Sequence, residues 1–151
     1  MSKFKKQKKG LTAISTASLP DIVFMLLFFF MVSTTMRETE LKITPPTLPK
    51  AHNTKKLEHK NLISTVYIGK SLNSSNDGDV IQLNDKIARV SDVKGFIFAN
   101  RDKLQEDEVP FMTTLFKVDV NSKVGTLADC KKELRDIDAL KITYAATPVK
   151  D

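Results

Sequence analysis

The run SLPDIVFMLLFFFMV at residues 18–32 constrains this chain more than any other feature. Residues 22–32 are eleven apolar side chains without a break. A helix apolar all round has to be buried or to face lipid. Eleven residues fall short of the roughly 20 that a membrane span needs, but the flanks extend the run. Ala13, Ile14, Ser15, Thr16, Ala17, Ser18 and Leu19 before it are apolar or small, as are Ser33, Thr34, Thr35 and Met36 after it. Hydroxyls such as those of Ser15, Ser18, Thr34 and Thr35 can bond the helix's own carbonyls, which supports them in lipid. Residues 14–36 would extend roughly 34 Å, against a hydrocarbon core of about 30 Å. A transmembrane helix over residues 13–36 is therefore predicted.

Charge orients that helix. The formal charge of +6 comes largely from five lysines among the first ten residues, and the rest of the chain is nearly balanced. A DNA-binding domain would spread its basic residues over a folded face instead. A polybasic tail beside an apolar run puts the N-terminus in the cytoplasm and the long C-terminal part outside. The competing reading is a cleaved secretory signal, with a basic start and a short apolar core. No A-x-A site follows, and Pro20 and Asp21 at the mouth of the apolar core are unusual for a signal.

Shifts in composition divide the chain into a basic tail (1–12), the membrane helix (13–36), a polar, proline-bearing linker (37–60), a small domain (61–147) and a short tail (148–151). Within the domain, LISTVYIG at 62–69 reads as a strand and 71–79 as turn chemistry. VIQLND at 80–85 returns as a second strand. Residues 91–104 form a helix, with Ser91 as N-cap and Val93, Phe96, Ile97 and Leu104 at helical spacing. FMTTLFKVD at 111–119 is a strand with Met112, Thr114, Phe116 and Val118 toward the core. Residues 123–138 form a helix with Val124, Leu127, Ala128, Lys131 and Leu134 in register, and LKITYAA at 140–146 is the last strand. The order ββαβαβ predicts an α/β sandwich with helices on one face of a mixed sheet. The fold class is thus a single-pass membrane protein, an N-terminal transmembrane α-helix plus a small extracytoplasmic α/β domain.

No nucleotide-binding, hydrolase or metal motif occurs in the domain. His52 and His59 read as solvated linker residues, and Asp77, Asp79 and Asp85 fail calcium-loop spacing. The lone Cys130 reads as a buried structural thiol. Asp21 carries the most chemistry. A carboxylate in hydrocarbon is costly unless paired, hydrated or protonated, and intramembrane acids mark proton relays. Alternatively, the helix starts at about Leu19, Pro20 is a first-turn proline, and Asp21 sits wetted at the positive helix end. Ser15, Ser18 and Asp21 lie three apart on one polar stripe, which Met25 and Phe28 continue as an apolar one. Periodicity leaves both readings open.

Taken together, the basic start, the DIVFMLLFFFMV run at 21–32, LPKA at 48–51 and FKVD at 116–119 resemble the ExbD/TolR family of biopolymer transport proteins. LKITYAA is similar to that family's final strand. The run resembles the family's D-x-x-x-x-L-L-x-x-F-M-V, and Leu48 and Pro49 match its linker motif. One departure stands out: many members carry proline three residues before the acid, where this chain has Ser18, with the proline at Pro20.

The resemblance implies an inner-membrane subunit with a periplasmic domain that acts without catalysing bond chemistry. It implies no cofactor beyond protons as the coupling ion, and Asp21 as the proton-relay residue. Implied partners are an ExbB/TolQ-like pentameric membrane subunit, a second ExbD-like copy, a TonB-like transducer and peptidoglycan. A TolR-like or gliding-type stator, or a cell-wall-binding module on an inert helix, are the alternatives.

Overall fold

The computed structural model describes residues 10, 16, 18–33, 39–73 and 78–149. The chain divides into two units, Met1–Glu38 and Thr39–Asp151. The first contains helix α1 (Ser18–Ser33). Its 16 residues span about 24 Å at 1.5 Å per residue. Among the described residues, no helix is long and apolar enough to cross a membrane. The predicted span over 13–36 is thus described only in its central part. Ser15, Thr34 and Thr35, which would lengthen it, lie outside the described residues.

The second unit is the expected small α/β domain. Its strands are β1 (Lys50–Ala51), β2 (Ile63–Lys70), β3 (Asp79–Leu83), β4 (Lys86–Ala88), β5 (Thr113–Val118), β6 (Ile142–Tyr144) and β7 (Thr147–Pro148), and its helices are α2 (Asp92–Arg101) and α3 (Val124–Asp136). Five strands form one sheet in the order β4-β3-β2-β5-β6. The β2–β3 and β3–β4 pairs are antiparallel, and the β2–β5 and β5–β6 pairs are parallel. Each parallel pair is joined through a helix, as a crossover requires. β2 lies at the centre, and its alternation sends Ser64, Val66 and Ile68 into the core.

The core forms where both helices meet that face. Val93 and Ile97 of α2, and Cys130 and Leu134 of α3, are fully buried at a spacing of four, one helical stripe each. They pack with Val66, Ile68, Ile81, Leu83, Met112 and Phe116. The Phe116 ring stacks on Tyr144, its register partner across β5 and β6, at 5.9 Å. Lys94 of α2 bridges Glu133 at 3.0 Å and Asp136 at 3.2 Å on α3.

Several expectations are corrected. Ser91 makes no side-chain cap; instead the Asp92 carboxylate accepts the Arg89 N–H at 2.9 Å. The α3 core stripe is Leu127, Cys130 and Leu134, while Val124 is 77% exposed and Ala128 faces solvent. Pro110 starts a 3-10 turn, Val109–Phe111, so β5 begins at Thr113 and Phe111 is exposed. The Asn-Asp pair at 84–85 is a turn rather than a strand end. Leu83 pairs with Lys86, and Asn84 takes φ 52°, a left-handed conformation that Asn tolerates. That turn creates β4, which the sequence reading lacked.

The largest difference lies in residues 39–60, read as linker. Ile43 is fully buried and forms an antiparallel bridge with Ser71. The Thr44 N–H donates to the Lys70 carbonyl at 2.8 Å and the Leu72 N–H to Lys42 at 3.1 Å. The Gln82 side chain, fully buried on the sheet face opposite the helices, clamps this segment. Its amide donates to the carbonyls of Glu40 and Asn84, each at 2.7 Å, and its oxygen accepts the Lys42 N–H at 2.8 Å. Further along, β1 pairs in parallel with β7. One buried isoleucine in a polar stretch is too little apolar pattern to reveal this from sequence. Replacing Gln82→Ala leaves these backbone groups unpartnered. The expected loss is about 1–3 kcal/mol in denaturant unfolding, with faster hydrogen exchange at Lys42. Unchanged exchange there would refute the clamp.

Candidate functional site

Asp21 lies in the first turn of α1 and is the helix's single charged residue. All the described α1 side chains are exposed, including Phe24 at 73% and Met31 at 70%. Apolar surface on every side suits lipid or partner helices rather than water. Along one side, Asp21 heads a concave strip whose other members are Ile22, Met25, Leu26, Phe28, Phe29 and Val32. This is the face on which Met25 and Phe28 were expected to follow the acid. At the far end, Phe29 and Phe30 meet edge to face with centroids 6.0 Å apart.

Pro20 is the third helical residue, and Thr16 stands in a turn before the helix. Proline in the first turn removes an N–H that has no intrahelical partner. Within the described helix Pro20 is a first-turn residue. Ser18 opens the helix one turn before Asp21. Ser15, Thr34 and Thr35 lie outside the described residues, so the polar stripe is seen only in its Ser18–Asp21 part.

In the domain, two of the sequence motifs come together. The Asp119 carboxylate that ends FKVD accepts the Thr47 N–H at 3.0 Å, just before Leu48 and Pro49. The Val120 N–H returns a bond to the Thr47 carbonyl at 3.0 Å. Leu48 is half-buried, and the Pro49 carbonyl accepts the Thr147 N–H at 2.8 Å. Asp119 also accepts the Asn121 N–H at 2.8 Å. These donors, Asn121 first and Thr47 next, hold its carboxyl below the ordinary value of 3.8. Phe116 of the same motif fills the core, and the Lys117 ammonium sits 5.2 Å from the centre of the Tyr67 ring. The motif is thus a joint between sheet and strap.

Cys130 is buried, as expected of a structural thiol. Burial, with Asp129 and Glu133 nearby, pushes it up to about 11. Among the described residues, no group of His, Cys, Asp and Glu side chains is placed to hold a metal. His52, read as a plain linker residue, lines a basic trough with Lys55, Lys56 and Lys60. The lysines at 50–60 gave a basic run but no sign of the trough, which needs Lys117 from β5 beside them.

An apolar helix with one acid in its first turn thus precedes a separate α/β domain. The family model for the biopolymer transport proteins ExbD/TolR matches residues 7–148, and the chain belongs to that family. No curated protein and no solved structure matches it.

Two measurements check this site. The lowered Asp119 value means that its grip on the strap is fully present above pH 3.8 and is lost as pH falls through the lower folded value. The Thr47 amide resonance should titrate below pH 3.8, and Asp119→Asn should remove that titration. A midpoint above 3.8 would contradict the assignment. The Cys130 thiol should resist Ellman's reagent at pH 8, about half a unit below an ordinary thiol, until the domain is unfolded.

Proposed function

We propose that this protein is the proton-coupled energy-transducing subunit of an ExbB-ExbD-TonB-type inner-membrane complex that powers outer-membrane transport. The observation that carries this reading is Asp21, the single charged residue of an all-round apolar helix in a chain of the ExbD/TolR family. In this reading residues 13–17 and 34–36 complete a single-pass span. The N-terminal lysines stay in the cytoplasm and the α/β domain lies in the periplasm.

The physics supports such a role. One acid on a lone helix in lipid is costly unless it is paired, wetted or protonated. A ring of ExbB/TolQ-like helices around a pair of these chains supplies the enclosure, and proton loading and unloading at Asp21 gives two states of different charge. One charge moved across 100 mV releases about 2.3 kcal/mol, so two or three protons can drive a mechanical step. Asp21 lies on the N-terminal side of the apolar run, toward the basic tail and a cytoplasmic proton supply. The periplasmic domain then delivers the motion to a TonB-like transducer.

The decisive experiment is Asp21→Asn in the full complex. Energised uptake should fall to the level of a strain lacking the protein, while expression and co-purification of the ExbB-like partner stay unchanged. Asp21→Glu should keep part of the uptake. Full uptake with Asp21→Leu would overturn the relay and favour an inert anchor carrying a cell-wall-binding module. Co-purification of a Tol-type partner instead, with envelope defects in place of transport defects, would assign the relay to a TolR-like or gliding-type stator.

A further inference from the structure

From a basic trough on the domain, we infer that this protein binds an extended, carboxylate-rich peptide segment along the sheet face opposite its helices. The helices cover one face of the sheet; on the other, residues 40–44 reach only the β2–β3 side, under the Gln82 clamp. Toward β5 and β6 the face stays open, with residues 51–57 and Lys60 forming a wall beside it. The resulting trough has a volume of about 1310 Å³. That exceeds the roughly 300–1,000 Å³ of ordinary small-molecule pockets and suits a length of polymer.

Its lining sets the chemistry. Four lysines (Lys55, Lys56, Lys60 and Lys117) and His52 line it, and no aspartate or glutamate does. Glu58, on the same wall segment, is not among the lining residues. The ion pairs of Lys94 lie on the helices, and no ion pair involves the trough lysines among the described residues. A cluster of like charges without counter-charges is unfavourable by itself and is relieved by an anionic partner.

The floor selects among anions. Thr65, Leu115 and Thr143 stand side by side across β2, β5 and β6, beside Ile63, Ala145 and Ala146. An apolar and hydroxyl floor beside a lysine wall fits an extended peptide, whose successive side chains point to opposite sides, so that apolar ones can meet the floor while acidic ones turn toward the lysines. The trough's lysines act as point charges, without the planar, bidentate fork by which arginine recognises phosphate, and no arginine lines the trough. A bare polyanion would leave the floor unused. This inference stands apart from the proton relay at Asp21.

The test uses the full chain in nanodiscs of zwitterionic lipid and a fluorescein-labelled peptide alternating Glu with Val. Anisotropy should show saturable binding that weakens with salt. The Gln–Val counterpart should bind at least about tenfold more weakly. Lys56→Glu with Lys117→Glu should weaken the Glu–Val peptide by at least about tenfold, whereas Lys86→Glu and Lys132→Glu, outside the trough, should leave it unchanged. A thermal melt and circular dichroism confirm that each variant is folded, and Lys56→Gln with Lys117→Gln serves if the reversal is not. Equal binding of the Gln–Val peptide, or undiminished binding by the folded trough variant, would overturn the inference. So would equal competition by an oligonucleotide or an acidic glycan fragment of matched charge, which would make the trough a general polyanion site.

Discussion

Two helices cover one face of a five-stranded sheet, and the rest of the domain follows from how the other face is covered. β2 is central and pairs on both sides, so its outward residues cannot escape to an edge. A strap of chain from before the sheet supplies part of the missing cover. Gln82 fixes it because its amide meets three backbone groups at once, and a buried amide left unsatisfied would be costly. The strap lies close over Gly69, where a Cβ would be in ordinary van der Waals contact, 3.5 Å from the Ile43 side chain and 3.7 Å from the Thr44 carbonyl. Where the strap runs out, the trough begins.

Much of the domain was legible because its periodicities are clean. β2, β3, β5 and α2 are visible in their alternation or their four-residue stripe, and Val93, Ile97, Phe116 and Leu134 are core residues as their spacing indicates. What escaped has local physical causes. In α3 the apolar residues are too few to fix the helix phase, so Val124 looked inward although it is exposed, while Cys130 was read as buried and is. β4 was hidden by a turn whose Asn84 tolerates a positive φ without glycine. β1 and β7 are two residues each, below any pattern length, and only their long-range pairing makes them strands.

The site divides in the same way. Asp21 was conspicuous because charge against apolarity is the strongest contrast a sequence can carry. Periodicity alone left Pro20 ambiguous between a starter and a kink; in the described helix it is the third residue. The trough was invisible for the opposite reason. Its lysines come from two segments, residues 55–60 and Lys117, that only folding juxtaposes, and in sequence the first of these reads as ordinary linker.

The pairing of β1 with β7 has a bearing on how the domain is made. It joins Lys50 to Thr147, so it closes a loop of nearly the whole domain. Contacts this distant in sequence are slow to form, because the entropy of closing the loop is lost before they contribute. During synthesis, residues 50 and 51 emerge early and have no partner until the last strand follows. The sheet and its two helices are assembled from nearer pairings and can form first, so the β1–β7 pair is expected to close last. A chain that stops short of Thr147 would keep its core and lose its clasp.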